Sequence, residues 1–308
     1  EGMWLAETAV DTATLELLAQ HNILFTILAP RQAKAFRKLN DDQWQTINEN
    51  QLDTAIPYAY KLPSGRTIAL FFYNGQISRE VAFNGLLNSG KLFADRLIVA
   101  TRDTEQPQLI HIATDGESYG HHHYRGDMAL ASCIDYLKKN KSVTLTNYGE
   151  FLAKFPPQYE IQIHENSSWS CVHGVERWRS NCGCSDGGNP GFHQQWRAPL
   201  RNALNWLKEK ADVVFETEML PFTPSPWDLR NHYIDIVNNR TESVIQQFFA
   251  SHFPTKIAEA HKIKMIRLLE MQRHAMLMFT SCGWFFDEVS RIETKQILHQ
   301  HKKSACSF

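Results

Sequence analysis

The sequence lacks the marks of several protein classes. None of its 308 residues fall in an uninterrupted apolar run of about 18, so we expect no membrane span. Its 32 basic and 33 acidic residues give a net charge of −1, and nothing in that balance favours nucleic acid or an anionic membrane as a partner. Six scattered cysteines are too sparse for a disulfide scaffold, and no secretory signal peptide is recognisable. We therefore predict a cytoplasmic protein.

The composition is that of an ordinary globular protein. Hydrophobic residues make up 43% of the chain and charged residues 21%, so a sizeable core can be buried. The length suits one large domain or two ordinary ones. The chain begins with Glu1 directly in front of an informative motif, which favours a piece of a longer protein.

Hydrophobic patterning predicts an α/β part followed by a helical part. Short apolar runs predict strands at residues 23–28, 67–73 (TIALFFY, the clearest) and 109–113 (LIHIA), with a helix at residues 31–39. Strands that alternate with helices indicate a parallel sheet with crossover connections. Apolar residues at helical spacing predict further helices at residues 127–138 (with Asp127 as N-cap), 195–210, 256–280 and 285–301.

Two segments place a carboxylate beside glycine and aromatic residues. GMWLAE (residues 2–7) ends on Glu7, and DGESYGHHH (residues 115–123) begins on Asp115 after the predicted strand LIHIA. Glycine allows close approach of the backbone to a ligand, and an aromatic face can stack on a sugar ring. Cleavage of a glycosidic bond requires two carboxyl groups, which in retaining enzymes act as nucleophile and acid/base. From the residues alone, Glu7 could equally be a surface carboxylate and Asp115 part of an Asp-Gly turn.

Both segments are similar to motifs of glycoside hydrolase family 57. GMWLAE resembles the family segment in which Trp-Leu-x-Glu carries the nucleophile, and DGESYGHHH resembles the later segment whose Asp is the acid/base. The resemblance implies Glu7 as nucleophile and Asp115 as acid/base, in a mechanism that uses no metal or other cofactor. The segments SSWSCVHGVERWRSNCGC (residues 167–184) and TSCGWFFDEVSRIE (residues 280–293) look like parts of the uncharacterised helical domain that usually follows a family 57 catalytic module.

The sequence also departs from the family pattern. The early His-Gln-Pro motif is absent, and the Glu-bearing motif, normally on about the fourth barrel strand, lies at the N-terminus. The resemblance therefore implies the C-terminal half of a (β/α)7-type barrel over residues 1–130 and a mainly helical domain over residues 131–308, with a Trp/Cys-rich cleft loop at residues 160–199. We expect the missing N-terminal barrel half to be required. Ala6 stands where characterised members usually have Pro or Thr, which leaves the substrate class open.

The same motifs indicate candidate substrate-binding residues. Near the two carboxylates these are Trp4, Glu117, Tyr119 and His121, together with Arg79, which follows the strand TIALFFY. From the Trp-rich loop and the late motif they are Trp169, His173, Glu176, Trp178, Trp284 and Asp287. The alternatives are that the loop tryptophans anchor the loop by packing and that Asp287 belongs to a helix start.

Two groups of residues could act as metal ligands. His121 and His123 would point to one side of an extended segment, where a carboxylate could join them in a metal-dependent carbohydrate hydrolase or deacetylase. The alternative is that one histidine binds substrate or a catalytic carboxylate while the others pack.

The second group is a C-x-H…C-x-C set formed by Cys171, His173, Cys182 and Cys184. Its spacing is not that of the common zinc modules, and buried thiols in a tight loop are the alternative. We predict no metal and no cofactor.

These features predict a retaining enzyme of α-glucosidic bonds with an oligo- or polysaccharide substrate. Glu7 would attack the anomeric carbon and Asp115 would act as acid and then base. Whether the acceptor is water or another sugar stays open. A non-catalytic glycan-binding remnant is the other alternative, because a half barrel exposes sheet edges and apolar faces.

Overall fold

The computed structural model describes residues 1–185 and 187–305. The chain forms two compact units, Glu1–Val175 and Glu176–Phe308. The first unit contains a mixed seven-stranded sheet with helices, and the second is helical, so the predicted fold class is confirmed. The division between the units lies further along the chain than the change of pattern predicted near residue 130, because a late strand belongs to the sheet of the first unit.

The sheet has the order β1-β2-β6-β5-β7-β3-β4. Its strands are β1 (Gly2–Met3), β2 (Phe25–Leu28), β3 (Ala33–Lys38), β4 (Gln45–Thr46), β5 (Tyr58–Lys61), β6 (Thr67–Phe72) and β7 (Tyr159–Ile163). The neighbours β1, β2 and β6 are mutually parallel, and β7 is parallel to β5. The pairs β5–β6, β3–β7 and β3–β4 are antiparallel.

The parallel trio β1, β2 and β6 positions the candidate site. Carboxyl ends of neighbouring parallel strands meet at one edge of a sheet, where α/β proteins carry their chemistry. Glu7, Gln32 and Tyr73 all follow the carboxyl ends of these three strands within a few residues. The β-branched and aromatic sequence of β6 suits a position in the middle of the sheet, and five of its six residues are buried there.

Two sequence-based predictions in the first unit were wrong, and one strand was missed. Residues 31–39 form a 3-10 turn (Pro30–Gln32) and strand β3, because pairing with β7 outweighs the helix propensity of Ala and Lys. β7 itself was not predicted. Residues 109–113 are extended but pair with no strand; they are tied to Ala55, Asn74 and Ser78 by single hydrogen bonds.

Four of the five helices of the first unit begin at a residue whose side chain caps the helix. The five helices are α1 (Thr12–Gln20), α2 (Gly75–Phe83), α3 (Gly90–Val99), α4 (Gly126–Lys139) and α5 (Tyr148–Lys154). Asn74, at the end of β6, accepts from the Ile77 N–H and so starts α2 immediately after the strand. The predicted helix at residues 127–138 is confirmed, but its N-cap is Arg125, at φ 60°, and Asp127 lies in the first turn.

In the described part of the second unit, all regular secondary structure is helical. Its helices are α6 (Arg197–Met219), α7 (Pro226–His232), α8 (Ile234–Asn238), α9 (Glu242–His252), α10 (Glu259–Leu277), α11 (Cys282–Phe285) and α12 (Ile292–Ala305). The helices predicted at residues 195–210 and 256–280 correspond to α6 and α10. The one predicted at residues 285–301 begins later, as α12. No helix among the described residues is long and apolar enough to cross a membrane.

Candidate functional site

Glu7 sits in a strained turn just beyond β1. It belongs to a 3-10 turn (Ala6–Thr8) in which Glu7 has φ 59° and Thr8 has φ 49°. Positive φ is uncommon for any residue with a side chain and is a true outlier for a β-branched threonine. Such conformations cost on the order of 1–3 kcal/mol each and persist only where the surroundings fix them.

The side chain of Gln32 fixes this turn. Its Oε1 accepts from the Thr8 hydroxyl and from the Ala29 N–H, both at 2.8 Å. Its Nε2 donates to the Thr8 carbonyl at 2.9 Å and to the Ser167 hydroxyl at 3.1 Å. Gln32 and Thr8 are both fully buried. One buried amide therefore holds Thr8 of the strained turn through two hydrogen bonds and ties it to Ala29 and Ser167 through two more. In this place each lost bond would leave a polar group without water.

The Glu7 side chain is oriented by the segment that follows β7. Oε2 of Glu7 accepts from the Trp169 indole N–H at 2.9 Å and from the Ser170 hydroxyl at 2.5 Å. The Trp169 backbone N–H also donates to the Glu7 carbonyl at 3.0 Å. Among the hydrogen bonds of the described residues, none involves Oε1 of Glu7. The carboxylate is thus anchored through one oxygen and presents the other.

Aromatic side chains surround this carboxylate. Trp4 contacts Trp169 edge to face with ring centroids 5.1 Å apart, and Tyr73 contacts the same indole at 6.1 Å. Trp4 is exposed, whereas Tyr73 is buried. Burial raises the pKa of the Tyr73 hydroxyl to about 12. The structure therefore brings the predicted residues Trp4 and Trp169 together with Glu7, with Trp4 accessible to a ligand.

The second carboxylate, Asp115, follows the extended segment anchored by His111. The His111 ring lies between the Thr54 carbonyl (3.0 Å from Nε2) and the Tyr148 hydroxyl (2.9 Å from Nδ1). A carbonyl only accepts, so Nε2 carries the proton and Nδ1 accepts from Tyr148. Burial lowers the pKa of His111 to about 4, which keeps this anchor neutral near pH 7.

Asp115 itself lies on an exposed turn. Partial loss of hydration raises the pKa of its carboxyl, and the negative charges of Glu7 and Glu117 raise it further, while His122 opposes them. Glu117 is exposed, and Tyr119 is fixed by a hydrogen bond that its hydroxyl accepts from Thr114 at 3.0 Å.

The histidine run lies beside this turn. His121 is exposed and its ring contacts that of His122, with centroids 4.9 Å apart. Nε2 of His123 donates to the Ala82 carbonyl at 2.8 Å, which ties the run to α2. Among the described residues, no group of three possible ligands close enough to share a metal ion includes these histidines. The packing and hydrogen-bonding interpretation fits His123.

Arg79 is placed differently from the other candidates of the first unit. It lies on the exposed side of α2, whose buried positions are Ile77, Ser78 and Val81. No described hydrogen bond or ion pair joins it to Glu7 or Asp115. A role for Arg79 in binding substrate stays a prediction.

Four predicted residues belong to the second unit. Glu176 forms an ion pair with Arg179 at 2.5 Å. Trp178 is 9% exposed and Trp284 is fully buried, with its indole N–H donating to the Met278 carbonyl at 3.2 Å. The burial of these two indoles favours the packing interpretation, and direct contact with sugar stays a prediction.

Asp287, the fourth, is a buried carboxylate at the centre of a polar network in the second unit. Oδ1 accepts from Gln194 at 2.8 Å and Oδ2 from Ser185 at 2.6 Å. The Arg197 guanidinium lies 3.9 Å from Oδ1. Asp287 is therefore not part of a helix start at the surface, and a contact with substrate stays a prediction.

Residues 171–184 carry the remaining group. In the first unit Cys171 is buried and His173 is exposed, and a role for His173 in binding substrate stays a prediction. In the second unit Cys182 and Cys184 are both partly buried.

The sequence did not indicate Thr8, Gln32 or Ser170. Gln32 stands in an ordinary Pro-Arg-Gln stretch, and its importance arises from partners far away in the chain, so no local pattern could have shown it. Ser170 could have been noticed, because it follows Trp169 inside a segment already marked as unusual.

Comparison with known protein families identifies the family of the chain. A sequence model described as glycosyl hydrolase family 57 matches residues 1–164, more than half of the chain. The chain belongs to glycosyl hydrolase family 57. A second model, a domain of unknown function called DUF3536, matches residues 192–305. This match confirms the uncharacterised domain that was predicted to follow the family 57 module. No curated protein matches the sequence significantly.

Solved structures show the same fold at low sequence identity. A 4-alpha-glucanotransferase from Thermococcus litoralis matches with a TM-score of 0.51 and 14% identity, covering 100% of this chain and 42% of that one. The family 57 branching enzyme TK1436 from Thermococcus kodakaraensis matches with a TM-score of 0.54 and 14% identity, covering 99% and 56%. This family 57 chain thus spans about half the length of the solved structures it matches.

Proposed function

We propose that this chain carries the two catalytic carboxylates of a retaining enzyme that acts on α-glucosidic bonds. Glu7 is the nucleophile and Asp115 the acid/base. The observation that carries the proposal is the contrast between the Glu7 carboxylate, which Trp169 and Ser170 anchor, and Asp115, whose pKa is raised by burial and by the charge of Glu7. The family and the α-glucan-acting enzymes that share its fold, a glucanotransferase and a branching enzyme, support the substrate class.

The reaction runs in two halves. Oε1 of Glu7 attacks the anomeric carbon, the glycosidic C–O bond breaks, and the Asp115 proton passes to the leaving oxygen. Asp115, now ionised, takes the proton of an acceptor hydroxyl, whose oxygen displaces Glu7 from the anomeric carbon. Two inversions give net retention. With water as acceptor the product is a hydrolysed glucan, and with a sugar hydroxyl it is a transferred one.

The surroundings of the two groups are consistent with these different tasks. Trp169 and Ser170 hold Oε2 of Glu7, so the attacking oxygen is oriented before the substrate arrives, which is how enzymes reduce the entropic part of a barrier. A general acid must remain protonated close to the working pH, and the raised pKa of Asp115 serves this need. Trp4 offers an exposed aromatic face for a sugar ring.

The test is covalent trapping on this chain together with the N-terminal barrel half that we expect it to require. An α-glucosyl donor with an activated leaving group and a slow second step should leave one glucosyl unit on the chain, and peptide mapping by mass spectrometry should place it on Glu7. The Glu7→Gln variant should show no adduct while its circular dichroism spectrum is unchanged. Glu1→Gln is the matched control, because Glu1 is exposed and lies in the same segment, and it should be labelled like the parent chain.

Two outcomes would contradict the proposal. One is a label on a residue other than Glu7, and the other is turnover in Glu7→Gln equal to that of the parent chain. If α-glucans bind equally to the parent, Glu7→Gln and Asp115→Asn chains and none shows turnover or labelling, the chain is a glycan-binding module.

A further inference from the structure

Two aromatic side chains of the first unit stand in solvent and have no part in the chemistry proposed above. Phe83, the last residue of α2, is 79% exposed, and Tyr124, directly after the histidine run, is 84% exposed. These are the two largest exposed fractions among the large hydrophobic side chains of the described residues. Burial of such a ring would stabilise the fold, so exposed aromatic side chains that lie together often mark a binding site.

A hydrogen bond of His123 brings the two rings to neighbouring positions. Its Nε2 donates to the Ala82 carbonyl at 2.8 Å. Phe83 directly follows Ala82, and Tyr124 directly follows His123. The two rings therefore lie on adjoining parts of the surface of the first unit, and we call Phe83 and Tyr124 the aromatic platform.

The Tyr124 ring is supported by the residue that follows it. Arg125 has φ 60°, which is uncommon for a residue with a side chain. Its guanidinium lies over the Tyr124 ring, 5.1 Å from the ring centre. One face of the ring is thus covered by a cation and the other is open to solvent. A ring held in this way loses little freedom when a ligand stacks on its open face.

The aromatic platform borders the turn that follows Asp115. A Cβ at Gly126 would lie 3.0 Å from the Ser118 carbonyl oxygen and 3.1 Å from the Tyr119 Cα, so glycine permits the start of α4 to touch this turn. Tyr124 precedes Gly126 by two residues, and its Cα therefore lies within about 7 Å of the Gly126 Cα. The platform and the candidate acid/base are thus parts of one folded segment.

The position beside Asp115 indicates which part of a substrate the platform meets. In the proposed mechanism Asp115 gives its proton to the leaving oxygen and later takes one from the acceptor hydroxyl. The leaving chain and the acceptor chain therefore lie on the Asp115 side of the reacting bond, whereas the transferred sugar is bonded to Glu7. Aromatic faces suit the apolar faces of sugar rings.

We propose that Phe83 and Tyr124 bind an acceptor glucan chain, which makes a sugar hydroxyl and not water the main acceptor. In the transfer step the acceptor hydroxyl gives its proton to Asp115, its oxygen bonds to the anomeric carbon, and the Glu7 carboxylate leaves. Arg79 lies one helical turn before Phe83 on the exposed side of α2, where its guanidinium can donate to sugar hydroxyls. This inference rests on the proposed function and adds the acceptor to it.

Binding and transfer together test the platform in this chain joined to its N-terminal barrel half. In a Glu7→Gln background, which prevents turnover, Tyr124→Ala and Phe83→Ala should each weaken the binding of a linear malto-oligosaccharide by about fivefold or more in isothermal titration calorimetry. With Glu7 intact, each substitution should raise the KM for the acceptor oligosaccharide and lower the ratio of transfer to hydrolysis from an activated α-glucosyl donor.

Two further variants serve as controls for the platform. Tyr124→Phe keeps the ring and should behave like the parent in both measurements. Tyr136→Ala removes another exposed tyrosine of the first unit, about 15 Å along α4 from its first residue, and should also behave like the parent. Circular dichroism should show the parent fold in all variants, because exposed side chains contribute little to stability.

Three results would overturn the acceptor proposal. The first is equal oligosaccharide binding by the platform variants and the parent, and the second is an unchanged ratio of transfer to hydrolysis. The third is a Tyr124→Ala protein that unfolds at a lower urea concentration yet binds oligosaccharide like the parent, which would assign the ring to packing against the N-terminal half. The binding measurement needs no turnover, so failure of the platform and failure of the proposed function are distinguishable.

Discussion

The turns that carry Glu7 and Asp115 differ in how firmly they are held. The Glu7 turn is strained, with two residues at positive φ, and is held by the buried Gln32, by Trp169 and by Ser170. The Asp115 turn is exposed, and its main fixed point is His111, several residues earlier. A nucleophile must be aimed at one carbon, whereas an acid/base must reach first the leaving oxygen and then the acceptor hydroxyl, and the proposed roles of Glu7 and Asp115 are consistent with this difference.

The largest effect is expected from breaking the Glu7 turn at Gln32. Gln32→Leu keeps the volume of the side chain but removes four hydrogen bonds and leaves buried groups of Thr8 and Ala29 without partners. At about 1–3 kcal/mol for each unsatisfied group, urea denaturation should show a loss of about 3–5 kcal/mol in the free energy of unfolding.

Gln106→Leu, at an exposed position, is the control for Gln32 and should change the free energy of unfolding by less than about 0.5 kcal/mol. Equal losses in the two variants would show that Gln32 does not hold the turn. Gln32→Glu keeps the acceptor and should fall between Gln32→Leu and the parent.

The free energy of unfolding should depend on pH through His111, the residue that anchors the Asp115 segment. Folding holds His111 neutral with a pKa of about 4, while the unfolded chain titrates near 6.5. Because the folded pKa is lowered, the stability is complete above pH 6.5 and decreases as the pH falls towards 4, by about 3 kcal/mol in total. His111→Gln should lack this part of the pH dependence, as measured by denaturant titrations across that range.

The control for His111 is His21→Gln, which alters an exposed histidine and should keep the pH dependence of the parent. If the free energy of unfolding depended on pH in the same way in His111→Gln and in the parent, His111 would not be the anchor of the Asp115 segment.

The donors to Glu7 should affect the rate more than binding. Trp169→Phe keeps a ring for the contact with Trp4 but removes the N–H, and Ser170→Ala removes the hydroxyl. A hydrogen bond to a charged group is worth about 1.5–3 kcal/mol, so kcat should fall by about tenfold or more in each variant. Ser170→Thr should restore most of the loss, and KM should change little. A change confined to KM would indicate that these residues bind substrate and do not position Glu7.

The smallest effect is expected at Glu117. Its charge contributes to the raised pKa of Asp115, so Glu117→Gln should lower that pKa. Since Asp115 must be protonated to act as acid, the alkaline limb of the rate profile should move to lower pH. His122→Gln should move it the opposite way, because His122 opposes the raised pKa. Shifts in the same direction would show that another group controls this limb.

Local sequence patterns predicted the elements that are stabilised mainly by local interactions or that lie in the middle of the sheet. The run TIALFFY became the buried strand β6, and α6 and α10 followed their apolar spacing. Pairing between distant segments was not predictable, so β3 was interpreted as helix and β7 was missed. The same holds at the site. Motifs indicated Glu7, Asp115 and Trp169, but the positive φ of Thr8 and the role of Gln32 arise only when four separate segments meet.

The roles of Glu7 and Asp115 are tested most directly by azide rescue of their alanine variants with an activated α-glucosyl donor. Glu7→Ala should yield a β-glucosyl azide, because azide attacks in place of the nucleophile with a single inversion. Asp115→Ala should yield an α-glucosyl azide, because azide attacks the glycosyl-enzyme still formed on Glu7. NMR of the anomeric proton distinguishes the two products. An α-product from Glu7→Ala, or a β-product from Asp115→Ala, would contradict the assignment.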